Sequence, residues 1–141
     1  MTERIYLDFN ASTPLADEVV AAMELFQRTG YGNPSSLHWA GLPARDAVET
    51  ARSRVAALLC CDATEVVFTS GGTEANNHAI KGAFFANRAS GRPHIITSQI
   101  EHPAVLEPCR FLETLGCEVT RLPVDRHGLV DPDDVRRAMR P

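Results

Sequence analysis

Lysine is almost missing from this chain. It occurs once, at Lys81, against thirteen arginines in 141 residues. Any chemistry that needs a lysine nucleophile must use Lys81 or take the amine from outside this chain. Runs of basic residues are absent too, and the formal net charge is −4. Both facts argue against nucleic acid or an anionic membrane surface as a partner. No apolar run approaches the ~18 residues of a membrane span. The opening Met1-Thr2-Glu3-Arg4 lacks the basic-then-apolar layout of a secretory signal. Cys60, Cys61, Cys109 and Cys117 have no zinc-like spacing, so no metal site is expected. They read as buried free thiols in a reducing cytoplasm, with the adjacent Cys60 and Cys61 pointing in different directions on a helix. Repeats, low-complexity stretches and linkers are also lacking. What remains is ordinary for a soluble globular domain with a sizeable core: 44% hydrophobic and 23% charged residues.

The stretch Val66 to Lys81 organises the rest. It reads as a short strand, Val66–Thr69, a turn through Gly71 and Gly72, and a helix from Thr73 to about Asn87. A glycine turn feeding a helix start exposes unpaired backbone N–H groups at the positive end of the helix dipole, a site suited to phosphate. Ser70-Gly71-Gly72-Thr73 is neither a Walker loop nor GxGxxG. Taken alone, two readings are open. It is a tight turn with Thr73 as N-cap, or an anion cradle in which Gly72 and Thr73 give N–H groups and Thr73 its hydroxyl.

The remaining elements alternate around it. Arg4–Phe9 reads as a short edge strand. A helix follows from Asp17, as cap, to about Arg28, with Val19, Met23 and Phe26 as its buried stripe. Residues 29–36 form a loop dense in glycine, proline and small hydroxyl residues. A helix over Pro43–Leu59 buries Ala44, Val48, Ala51, Val55 and Leu58. On the helix after the cradle, Ala75, Ala79, Ala83, Phe84 and Phe85 face inward, and residues 89–93 break it. Then come strand His94–Thr97, loop Ser98–His102, and a helix from Pro103 to about Leu115 stopped by Gly116. Strand Cys117–Leu122, a turn over Asp125–Gly128, and a helix from Pro132 capped by Asp131 close the series. That last helix carries Val135, Ala138 and Met139 on one side. Helix and strand in alternation give an α/β class with a mainly parallel sheet, whose ligands sit beyond the carboxyl ends of the strands.

Two loops lie at such ends: Ser70–Thr73 and Ser98–His102. His102 stands just before a helix, where an imidazole can stack on a flat ligand, shuttle a proton or cap the helix. Phosphate at one loop and a flat ring at the other point to a flat phosphorylated cofactor such as pyridoxal phosphate. Asn33 and His38, in the loop before the second helix, line a pocket mouth or form a turn and a cap. Glu74 and Glu101 read as helix-start electrostatics. His78, His94 and His127 read as surface or satisfied side chains.

Four segments carry a resemblance: YLDFNASTP, GNPSSLHWAG, EVVFTSGGTEANNHAIKG and HIITSQIEHPAVL. In this order they resemble the N-terminal part of pyridoxal-phosphate cysteine desulfurases, which are class V aminotransferase-like enzymes of fold-type I. The GNPSS-x-H loop favours the branch that supplies sulfur for iron–sulfur clusters and tRNA thiolation over the selenocysteine lyase-like branch. The resemblance implies a three-layer α/β fold. Residues 1–42 would be a leading segment with an active-site loop, and residues 43–141 the first α/β portion of the large domain. It implies transfer of sulfur from L-cysteine, giving alanine and an enzyme persulfide, with a sulfur acceptor or scaffold protein and a homodimer as partners. Gly72 and Thr73 match phosphate-binding positions. His102 matches the histidine that stacks on the pyridine ring and is implicated in proton transfer, and is the catalytic residue implied. Asn33 and His38 match the active-site loop.

The departures matter as well. In the family, the Schiff-base lysine, the aspartate on the pyridine nitrogen and the persulfide cysteine come later than any residue matched here. Lys81 matches a lysine inside the helix after the cradle, and none of the four cysteines matches the nucleophile. The resemblance therefore implies about the first third of a desulfurase, a truncated or split product or a fragment, inactive alone. Its sheet would have an unpaired edge and an uncovered face, an aggregation hazard. Two rivals remain: another class V enzyme, such as a selenocysteine lyase or an aminotransferase, and a non-catalytic chain that needs a partner.

Overall fold

The computed structural model of the chain describes residues 4–88, 91 and 93–140. It contains helices α1 (Asp17–Thr29), α2 (Gly41–Leu59), α3 (Gly72–Asn87), α4 (Pro103–Glu113) and α5 (Pro132–Ala138). Strands β1 (His94–Ser98) and β2 (Glu118–Leu122) and a 3₁₀ turn at Ala63–Glu65 complete the list. The helix break expected over residues 89–93 falls partly on Ala89, Ser90 and Arg92, outside the described residues, as do Met1–Glu3 and Pro141. Between Val67 and Phe68 the chain divides into two compact units.

The second unit has a β–α–β core. β1 and β2 pair in parallel, with His94 opposite Glu118 and Ser98 opposite Leu122, and α4 is the crossover between them. Parallel neighbours need such a crossover because a tight turn cannot return the chain in the same direction. α4 packs against α3 and β2. Cys109 and Leu112 of α4 are fully buried, and Phe84 of α3, Leu112 and Cys117 form the central cluster with Ile80, Ile95 and Val119 against it. Gly116 takes a positive φ of 89° as the chain leaves α4, so the expected stop stands where expected. Asp131 caps α5 by accepting from Asp133 N at 2.8 Å.

Two expected strands do not form. Residues 4–9 and 66–69 lie outside any ladder, because the sheet of the described residues has only two strands. A strand must place its backbone groups on a neighbour. Here the Val66 carbonyl accepts instead from Arg52 Nη1 at 2.5 Å. Tyr6 folds locally, its hydroxyl bonded to Asp8 O at 2.9 Å and its ring edge-on to Phe9.

Several expected buried faces are open. Val19, Met23 and Phe26 are 45%, 43% and 49% exposed, and the helix they share buries no residue. Its cap is Ala16 rather than Asp17. In α2 the stripe is only half-covered at Ala44, Val48 and Val55, while Ala51 and Leu58 are exposed and the buried residues are Gly41 and Ala56. On α3 only Phe84 is buried. Ala75, Ala79, Ala83 and Phe85 are exposed. Ala79 and Ala83 line an apolar cavity of about 480 Å³ with Ile80, Phe84 and Ile95. In each case the 3.6-residue period is right, but the stripe stays open in α1 and is only partly covered in α2 and α3.

The cysteine expectation also divides. Cys109 and Cys117 are buried, Cys60 is exposed and Cys61 half-buried, and all four are free. Burial pushes both core thiols above their ordinary range. Cys60 lies past the end of α2, in the left-handed conformation at φ 54°, so the adjacent pair is not helical.

Candidate functional site

The α3 start is built as an open cradle. Its N-cap is Gly71, not Thr73, and no side chain caps it. Gly72 and Thr73 are therefore the first two helical residues, whose N–H groups have no partner inside a helix. Among the described residues, nothing beyond the adjoining backbone lies within 4 Å of where a Cβ would stand on Gly71 or Gly72. The Cβ direction of each glycine is open.

Glu74 holds the turn in shape. One of its oxygens, Oε2, accepts both from Ser70 N at 2.7 Å and from Ser70 Oγ at 2.6 Å. The Ser70 hydroxyl and amide, with a smaller pull from His78, hold the Glu74 carboxyl below its ordinary range. The second loop has a parallel clasp: Ser98 Oγ donates to Glu101 Oε1 at 3.1 Å. Glu74 ties the turn to its helix, and Glu101 ties its loop back to the end of β1.

His102 is the N-cap of α4. Its Nδ1 accepts from Ala104 N at 3.0 Å. Thr73 and His102 stand on the walls of one cavity of about 450 Å³, between α3 and α4. Asn77 and Lys81 extend the α3 wall, and Glu107 and Phe111 the α4 wall. The Lys81 ammonium lies over the Phe111 ring, 4.8 Å from its centroid, a cation–π contact. Asn77 Nδ2 donates to Thr73 O at 2.9 Å. Sequence reasoning missed Asn77 as a wall residue and did not set Lys81 beside His102. The signal was present, since Thr73, Asn77 and Lys81 repeat at i, i+4 and i+8 and so share one helix face.

Asn33 and His38 belong to the first unit. Asn33 Oδ1 accepts from Ser35 N at 2.8 Å and its carbonyl from Ser36 N at 2.9 Å. His38 Nδ1 accepts from Ala40 N at 3.3 Å, and its carbonyl from Gly41 N at 2.9 Å. The loop is wound tightly: a Cβ on Gly32 would lie 1.7 Å from Ala40 O, and one on Gly41 2.4 Å from Ser36 O. Local turn contacts describe both side chains in this unit, and the N-cap of α2 is Ala40, with no side-chain cap. Of the other histidines, His94 Nε2 meets Thr120 Oγ1 at 2.8 Å and His127 Nε2 accepts from Arg126 Nε at 2.9 Å. Among the described residues no cluster could hold a metal ion, and no helix is long and apolar enough to cross a membrane.

Comparison with known proteins decides the family. Residues 5–141 match the family Aminotransferase class-V. The chain belongs to it. A cysteine desulfurase IscS from Dictyoglomus turgidum is 54% identical over 140 residues, covering 99% of this chain and 35% of its own length. One from Methanosarcina thermophila is 50% identical over 136 residues, covering 96% and 33%. Among solved structures, a "NIFS-LIKE PROTEIN" superposes with a TM-score of 0.89 at 37% identity, over 97% of this chain and 37% of that one. "SspA in complex with cysteine" does so with 0.86 at 41%, over 96% and 39%. The class V chain described here thus spans about a third of the length of these relatives, and its helices and small parallel sheet have the α/β architecture of the fold-type I enzymes.

Proposed function

We propose that these residues form the phosphate and ring side of a pyridoxal 5'-phosphate site in a cysteine desulfurase. The cavity shared by Thr73 and His102 carries this reading, together with the 54% identity to a cysteine desulfurase. The donor set fits the cofactor. Gly72 and Thr73 offer unpaired N–H groups, Thr73 adds a hydroxyl, and His102 offers a flat ring. When bound, the cofactor supplies an electron sink. The chain's own residues have narrower tasks. Gly72 and Thr73 hold the phosphate at the positive end of α3, Glu74 keeps the turn in shape, and His102 lies against the ring. Asn33 and His38 belong to the substrate loop in residues 1–42, and residues 43–141 supply the α/β portion.

The reaction proposed is removal of sulfur from L-cysteine, leaving alanine and a persulfide on an enzyme cysteine, for iron–sulfur cluster assembly or tRNA thiolation. A sulfur acceptor and a second copy of the enzyme are the partners, in the cytoplasm. The structure bound to cysteine supports the substrate. A second reading is favoured by the single lysine: the chain does chemistry only with an amine and a thiol from elsewhere.

Titration with pyridoxal phosphate and, separately, pyridoxal tests the site. Loss of a hydrogen bond to a charged group costs ~1.5–3 kcal/mol, or roughly ten- to a hundredfold in affinity. Thr73→Ala should weaken pyridoxal phosphate by about that factor and leave pyridoxal unchanged, while His102→Ala should weaken both. Equal affinity for the two ligands in the unaltered protein contradicts the assignment.

A further inference from the structure

The chemistry open to His102 is limited by its cap. The amide of Ala104 can only donate, so the Nδ1 it meets at 3.0 Å carries a lone pair and no proton. A neutral imidazole has one N–H, which must then be at Nε2. Ala104 is buried, so its N–H has little water to turn to if Nδ1 is lost, and an unsatisfied buried donor is costly. The charged neighbours are otherwise engaged: Glu101 accepts from Ser98, Glu107 pairs with Arg110, and Lys81 lies over Phe111. Among the described residues, no carboxylate bonds the ring. His38 shows the same i to i+2 arrangement with Ala40.

We infer that His102, while it caps α4, is a hydrogen-bond donor through Nε2–H and not a proton acceptor. A proton can be taken only at Nδ1. It would occupy the lone pair, break the bond to the Ala104 N–H and set two N–H groups against each other. Proton transfer by His102 therefore requires release of the α4 cap, and with the cap in place another group must move the proton. This catalytic consequence rests on the function proposed above. The tautomer itself does not.

Nitrogen NMR of the protein labelled with ¹⁵N-histidine tests the inference, with His102→Asn assigning the signal. At neutral pH the expected pattern is an unprotonated Nδ1 and a protonated Nε2. An Nδ1–H tautomer overturns it. Stability provides a second readout, because asparagine can cap a helix and alanine cannot. His102→Ala should melt about 4 °C below His102→Asn, and equal melting temperatures contradict the cap. Failure to bind pyridoxal phosphate would instead overturn the proposed function and leave the tautomer result intact.

Discussion

Two hydrogens from Ser70 converge on one oxygen of Glu74, and this contact makes the cradle titratable. The carboxyl is held below its ordinary range in the folded chain, with the Ser70 hydroxyl as the first cause and its amide as the second. A depressed pKa means the contribution is fully present above the ordinary carboxylate range and is lost as the pH falls through the lowered value. Protection of the Ser70 amide from exchange should therefore persist at neutral pH and collapse on acidification. Glu74→Gln should flatten that pH dependence. The measurement is NMR-detected exchange beside a carboxyl titration, and a midpoint in the ordinary range would contradict the clasp. Glu74 was legible in sequence only as a charge near a helix start. The clasp escaped notice because a capping box spaces its partners by three residues from the N-cap. Here the spacing is four, from the residue before Gly71. Thr73 and His102 were easier to find, since each stands at the junction of a loop and a helix. Asn77 carried no such punctuation.

Elements follow sequence where local rules decide and depart where a partner is needed. Each helix was legible to within two or three residues, and Gly116 and Asp131 end and begin elements as their chemistry suggests. Residues 4–9 and 66–69 alternate or run apolar as strands do, yet a strand exists only with a neighbour. The stripe of α1 shows the same limit, since periodicity says which face is apolar and not what covers it. Two substitutions check the packing. Leu112 is fully buried where α4 meets the central cluster, so Leu112→Ala should cost about 3 kcal/mol by chemical denaturation. A value below about 1 kcal/mol would contradict the core described. Among glycines, Gly116→Ala should cost about 1 kcal/mol, from the left-handed backbone alone, because its Cβ would meet nothing. Gly32→Ala should cost more than Gly116→Ala, because its Cβ would collide with the Ala40 carbonyl, and the shift should fall on the loop holding Asn33 and His38.

At the scale of the whole molecule, family and fold were legible because four motifs stand in order. Superposition on a known relative with a TM-score of 0.89 agrees with that reading. The resemblance implied an uncovered face, but which residues would be exposed was less legible. Phe9, Trp39, Leu58 and Phe85 are all exposed, in a chain spanning about a third of its relatives' length. Division of labour at the cofactor is the central claim: these residues hold phosphate and ring, and Lys81 does not hold the aldehyde. Lys81 shares the cavity with His102, which makes the claim open to a direct test, while its ammonium is drawn to Phe111. The protein should be mixed with pyridoxal phosphate, reduced with borohydride and its mass mapped by peptide. The expected result is no stoichiometric pyridoxyl group on Lys81. A stable adduct there, accompanied by release of alanine from cysteine, would contradict the claim.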